Sequence, residues 1–551
     1  MPSPTLSRKT DQKNTLVEDA TRLFRVVYQE QARENKSDDE VAKIKVSDLI
    51  SKMAFYYEKI RNTVDYKEEH LLRKNAIERI LRRQIIIEGA IAAKGPKAGE
   101  IARELLTELI RAAYLPNNAI PESKIEEISE VVDKYLKLKQ YLRQSKELFH
   151  EKNHVTGWLI SLLACEVEEK LGRSETDLTI VDFMYDILSR TIELPENSPY
   201  QNDREIQIYV SIHRCYLKFD RDMLSFILFK HYNPHWKNTP SQETIEIIAR
   251  KMEDMKERIE KSLDHPLAGQ LNRIIGKYNV FFSILKDVII EDPRGVYDGF
   301  AKDPKAFARS VKKVCNKRYL TARKKLWRSA ARSIIYIFIT KSIFAIILEV
   351  PANKWFGEEL NPVSLLINIS FPALLLFMIV LFTRLPSEAN SSRIAEGVEE
   401  VIFNEKKNRT YKLRPPVKRS KLMHTTFKLI YMVTFFLSFG TIVWVLDKLN
   451  FSWISIVIFL FFLAFVSFFS IRIRKNAKDL LIVEREENIL SLLADFFYVP
   501  IVEAGKWLSE KFSRINVFVF ILDFIIEAPF KIFVTIAEEW TKYVRERKDE
   551  I

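Results

Sequence analysis

Four apolar runs follow one another within residues 329–473, and they limit what this chain can fold into more than any other feature. A helix needs roughly 20 mostly apolar residues to cross the hydrocarbon core of a bilayer. Residues 453–471, WISIVIFLFFLAFVSFFSI, contain no charge, and 427–446 are interrupted only by Lys428. The run 363–382 contains Asn368, Ser370 and Pro372. Proline is tolerated in such a segment where neighbours satisfy the carbonyl it frees. The run 329–350 is the least apolar, with Arg332 near its start and Lys341 near its middle.

Charge placement argues for counting 329–350 as a crossing. Residues 311–328, VKKVCNKRYLTARKKLWR, hold eight Lys/Arg and no acid, and 383–426 hold ten Lys/Arg against five Glu. Arg472, Arg474, Lys475 and Lys478 follow the last run, whereas the short connections 351–361 and 447–452 are poor in basic residues. Basic residues mark the cytoplasmic side. Only four crossings put all three basic segments on one side, with both chain ends cytoplasmic. Trp327, Trp355, Trp444 and Trp453 fall near the expected interfaces, where amphipathic rings prefer to sit. The first residues, MPSPTLSRKTDQKN, lack the apolar stretch of a cleaved signal peptide, so the internal runs must direct insertion.

The expected fold is all-α. Only 13 glycines in 551 residues argue against β architectures rich in tight turns. The expected order is a disordered 1–13, a cytoplasmic helical region at 14–154 and a second at 155–310. A basic juxtamembrane segment at 311–328 and the transmembrane block at 329–473 follow, the block holding a cytoplasmic loop at 383–426. Residues 474–551 form C-terminal amphipathic helices at the membrane interface. Leu16, Ala20, Leu23, Phe24 and Val27 repeat at helical spacing, as do Ile125, Ile128, Val132, Tyr135, Leu138 and Leu142. Between Arg514 and Tyr543 the polar residues form one narrow stripe among Phe, Ile, Val and Trp. A helix of that shape lies on lipid or packs against protein.

The net charge of +13 is concentrated beside the apolar runs, where positive-inside bias and anionic lipid explain it better than nucleic acid does. Arg414, Lys418, Arg419 and Lys421 are the candidates for contact with anionic headgroups. Cys165, Cys215 and Cys315 are far apart in sequence, which points to a reducing compartment and not to a disulfide framework.

One literal motif carries chemistry. His150-Glu151-Lys152-Asn153-His154 would place two imidazoles on one helix face, able to hold zinc, with Glu151 as base. The third histidine of the longest version of this pattern is replaced by Ile160, and a downstream carboxylate would have to come from Glu166, Glu168, Glu169 or Glu175. Thr156-Gly157 reads as a helix boundary, which places the motif at an exposed helix end. Zinc enters only under this peptidase reading, and otherwise no cofactor is expected. Lys341 is the most costly residue, since a charge at the bilayer centre costs about 2.5–3.5 kcal/mol on insertion scales. Asn368 and Ser370 are its candidate polar partners, and no second charge is legible near the middle of any of the four runs.

These features point away from an enzyme and toward a membrane-anchored scaffold or interaction protein, whose cytoplasmic helices bind partner proteins. An oligomeric channel or transporter formed by the four spans is the alternative, and the zinc peptidase is a second alternative.

Overall fold

The computed structural model describes residues 17–34, 42–47, 69–88, 97–144, 152–172, 174–237, 240–293, 304–358, 361–383, 385–403, 410–414, 421–482 and 489–514, with a few isolated residues in 51–59 and 536–548. The described chain is almost entirely helical, as composition requires. It divides into two compact units.

The first unit is built from residues 17–279 together with 406–416. Its helices are α1 (Glu18–Glu34), α2 (Glu69–Arg82), α3 (Ala98–Arg111), α4 (Ser123–Gln144), α5 (Lys152–Gly172), α6 (Glu175–Thr191), α7 (Arg204–Cys215), α8 (Arg221–Tyr232), α9 (Gln242–Arg250), α10 (Met252–Leu263) and the first half of α11 (Ala268–Glu291). The apolar positions that repeat along the sequence are the ones buried. Ala20, Leu23, Phe24 and Val27 of α1 are closed off, as are Ile128, Val132, Tyr135 and Leu138 of α4. Helices α2 to α5 and α7 to α10 share one continuous apolar core.

Helix ends follow local chemistry. Ser174 caps α6, Asp220 caps α8 and Ser241 caps α9, each accepting a backbone N–H near the start of its helix. Glu30 reaches across from α1 to accept the N–H groups of Glu175 and Thr176 at 3.2 and 3.1 Å. It thereby supplies negative charge at the start of α6. Ala113 and Lys218 adopt left-handed φ of 57° and 55°, and these residues end α3 and separate α7 from α8.

One expected boundary moves. Gly157 does not break a helix, because α5 runs through it from Lys152. Helices α9 and α10 meet at Lys251, and α2 passes into a π-helical turn at Arg83–Glu88.

Strand β1 (Ile192–Glu193) pairs in parallel with β2 (Tyr411–Lys412), which comes from the 383–426 connection. Leu413 N–H donates to Glu193 O at 2.9 Å, and the Gln270 amide brackets the backbone of Arg414 at 2.8 and 3.0 Å. This connection therefore returns to the unit that holds Glu193.

The second unit contains the apolar runs. Its elements are the second half of α11, α12 (Pro304–Phe344), α13 (Val350–Trp355), α14 (Pro362–Leu381), α15 (Glu388–Phe403), α16 (Lys421–Lys448), α17 (Trp453–Lys478) and α18 (Ile489–Arg514). Four helices are long and apolar enough to cross a membrane: Ala306–Trp355, Pro362–Leu381, Thr425–Lys448 and Trp453–Lys475. The first includes the basic segment and the first apolar run in one helical rod of 50 residues, about 75 Å at the α-helical rise. Its polar part is braced on α11, where Arg318 donates to Asp287 and Ser283 and Lys317 pairs with Glu291. Leu326, Ala330 and Ile337 of α12, Leu376 and Val380 of α14, and Val466 and Ile473 of α17 form one buried seam.

The expectation of amphipathic interfacial helices over 474–551 rests mostly on 515–551, nearly all of which lies outside the described residues. The part described, α18, runs antiparallel along α17. Tyr498 lies against Ser467 and Ser470, while Gly505 packs on Ala464 and Phe468. A Cβ at Gly505 would come within 1.9 Å of the Ala464 carbonyl oxygen. Backbone cannot yield there as a flexible side chain could. Gly505→Val should therefore loosen α18 from α17, at about 1–3 kcal/mol for overpacking. The unfolding midpoint of the protein in detergent checks this: it should fall in Gly505→Val, and an unchanged midpoint would show that α18 does not depend on this close approach.

Candidate functional site

Five polar residues of the apolar block, Lys341, Asn353, Asn368, Ser452 and Ser455, gather around one carboxylate. Lys341 lies on α12, and Glu349 ends the π-helical turn Ala345–Glu349 that joins α12 to α13. Both side chains are fully buried, with Lys341 Nζ 3.9 Å from Glu349 Oε2. π-Bulges recur at functional positions because the extra residue re-aims the side chains that follow.

Three neighbours complete the cluster. Asn368 of α14 donates from Nδ2 to Glu349 Oε1 at 2.5 Å, and Ser455 of α17 donates to the same oxygen at 2.8 Å. Asn353 of α13 donates to the Glu349 carbonyl at 2.9 Å and accepts from Ser452 at 2.6 Å. Pro372 sits four residues after Asn368 and has no N–H for the Asn368 carbonyl, so α14 adds a freed backbone acceptor at the level of the cluster. The Lys341 ammonium stands 4.1 Å from the ring centroid of Phe462 and 5.8 Å from that of Phe344. Aromatic faces hold a desolvated cation there. Three buried atoms of the cluster have no hydrogen-bond partner among the described residues: Lys341 Nζ, Glu349 Oε2 and Asn368 Oδ1.

Of the polar residues expected inside the runs, Lys341 and Asn368 are brought together through Glu349. Ser370 is not, since its hydroxyl donates back to Leu366 O of its own helix at 2.7 Å. The reading that no second charge accompanies Lys341 is overturned by Glu349, which has no exposed surface. From sequence it stands at the end of the 329–350 run, where an acid reads as already outside. The available signal was the pairing of an acid at one end of a run with an unexplained lysine eight residues earlier.

Arg414 carries an exposed side chain on a backbone bonded to Gln270. Lys418 and Arg419 lie outside the described residues, and Lys421 begins α16. His150 and Glu151 also lie outside the described residues, while His154 stands in the first turn of α5. The acids available to a zinc site are engaged elsewhere. Glu166 binds Lys134, Tyr135 and Trp236, Glu168 binds Arg73, Glu169 binds Lys230 and Glu175 pairs with Arg33. Among the described residues no group of three His, Cys, Asp or Glu could hold a metal ion.

In the first unit the buried ionisable groups are structural. Burial holds the Lys134 ammonium below its usual value against the pull of Glu166. Tyr135 and Trp236 donate to Glu166 Oε2 at 3.0 Å each, so one carboxylate ties α4, α5 and the turn after α8. His213 is almost wholly buried, and its Nδ1 donates to the Tyr209 carbonyl at 2.9 Å. Burial pushes its imidazole down from 6.5 to about 4.

No family model, curated protein or solved structure matches this chain.

Two outcomes follow for the first unit. Glu166→Ala leaves Lys134 buried without its counter-charge and should lower stability by about 3–5 kcal/mol, read from the unfolding midpoint. The neutral His213 contributes its full stability above pH 6.5, and the contribution falls as pH drops toward 4, a loss of about 3 kcal/mol. His213→Gln should flatten the stability profile across that window while leaving it unchanged in shape above pH 7.

Proposed function

We propose that this is a multi-pass membrane protein whose four-helix block anchors a large helical unit at the cytoplasmic face, where that unit binds partner proteins. One observation carries the reading: the two units bury apolar side chains by opposite rules. The first closes its apolar residues into a core. In the second, Ile335, Tyr336, Leu366, Leu429, Val433, Phe436 and Val457 stand outward on the long helices. Apolar surface on that scale needs lipid or protein to cover it. The β1–β2 pairing supports an even number of crossings between Glu193 and Tyr411, as four spans require.

The channel or transporter reading stands second, favoured by the buried Lys341–Glu349 pair, since intramembrane charges mark ion and substrate pathways. The zinc reading draws no support from the described residues.

Two measurements test the proposal. Trp355→Cys and Leu449→Cys, on exposed ends of the short connections, should be labelled in intact cells by a membrane-impermeant thiol reagent. Labelling only by a permeant reagent would contradict the topology. The full chain extracted from its membrane should retain a stoichiometric protein partner. A chain that purifies alone and carries ion or solute flux in vesicles, lost in Lys341→Leu, would replace the anchor reading with the transport one.

A further inference from the structure

A buried ion pair in an apolar block has an ordinary explanation, which is that it locks helices together. A lock works by satisfying its atoms, because each buried polar group without a partner costs free energy. Here the pair leaves the ammonium without an acceptor, one carboxylate oxygen without a donor and the neighbouring amide oxygen unused. The other carboxylate oxygen is the end of a chain of hydroxyls. Ser455 Oγ donates to Glu349 Oε1 at 2.8 Å, and Ser452 Oγ lies 3.1 Å from Ser455 Oγ. Ser452 is half-buried and caps the first turn of α17, where the chain leaves the apolar run. Its single hydroxyl proton has two acceptors in reach, Ser455 Oγ and Asn353 Oδ1 at 2.6 Å, so it can turn from one to the other.

We propose that Glu349 is a proton-binding site of the apolar block, loaded from the 449–453 end through Ser452 and Ser455, with Lys341 as its ion-pair partner. The inference is independent of what the first unit binds. The transfer is balanced. Ser455 gives its hydroxyl proton to Glu349 Oε1 and takes the proton of Ser452, which takes one from water at the helix end. The net change is one proton moved from water to the carboxylate, with no other bond made or broken.

The face of Phe462 stands against the Lys341 ammonium independently of the carboxylate. No other charge sets the balance among the described residues. Glu349 is the one charged group acting on Lys341. From α13, α14 and α17 the cluster receives Asn353, Asn368 and Ser455, none of them ionisable at ordinary pH. Lys354, Asp447 and Lys448 stand exposed at the helix ends. Farther along the same three helices, away from Ser452, lie Ile337, Leu376 and Val466 of the buried apolar seam.

The experiment is infrared difference spectroscopy on the full-length protein in lipid, with a rapid step from alkaline to acidic buffer. The expected result is a reversible carbonyl band of a buried protonated carboxyl, absent from Glu349→Gln and moved in frequency by Glu349→Asp. Ser455→Ala, which removes a hydroxyl and no charge, should slow the rise of that band at least about tenfold while leaving its final height unchanged. A purely structural pair would give no such band at any pH at which the protein stays folded, and that result overturns the proposal. A band that rises as fast in Ser455→Ala as in the parent chain would equally overturn it, since the hydroxyl relay would then carry nothing.

Discussion

Inside hydrocarbon a backbone amide has no water to bond, so every N–H and C=O must find its partner within the protein. The second unit, with four helices long and apolar enough to cross a membrane, has the form that constraint demands. Its long elements are helices, and their hydroxyl side chains turn inward on their own backbones. Thr340, Ser342, Ser370, Thr434, Ser438 and Thr441 each donate to the carbonyl four residues earlier, at 2.6–2.8 Å. These side chains read as polar in sequence, yet locally they present methyl and methylene surface outward. The exceptions are informative, because Ser452, Ser455, Asn353 and Asn368 spend their polarity on one another and on Glu349.

The Lys341–Glu349 pair is where the block departs from the simplest solution to that constraint. Replacing a buried pair with apolar residues of similar volume is often neutral or stabilising. Retaining one, beside a π-helical turn and a proline that frees a carbonyl, concentrates three local irregularities in one place. A protein whose block served only to hold it in lipid has no physical need of them. The hydroxyl chain from Ser452 gives them a common purpose.

Much of this was legible in the sequence. Helical class, four apolar runs and the stripes that bury Leu23, Val132 and Leu138 all follow from spacing, because period and burial are coupled in a helix. Lys341 and Asn368 stood out because polarity inside an apolar run is costly. Glu349 did not, because a sequence window cannot tell a run that ends from a helix that continues. In the structure the helix continues to Trp355 and carries Glu349 inside. The same limit applies at Gly157, where α5 passes through a residue that reads as a break, and at Gly505, whose role depends on the backbone of a distant helix. Pairing between residues 192–193 and 411–412 joins stretches more than two hundred residues apart, and local patterning has no access to it.

The account stands on the four helices lying in lipid, and α16 offers the most direct test because its side chains from Leu429 to Val445 are mostly exposed around the helix. Spin labels placed singly along 429–445 in the reconstituted protein can be probed with oxygen, which partitions into hydrocarbon, and with a water-soluble paramagnetic reagent. The account predicts high oxygen access along this stretch, greatest near Leu437, with the aqueous reagent excluded except toward the two ends. Ready access of the aqueous reagent to the middle of α16 would contradict it.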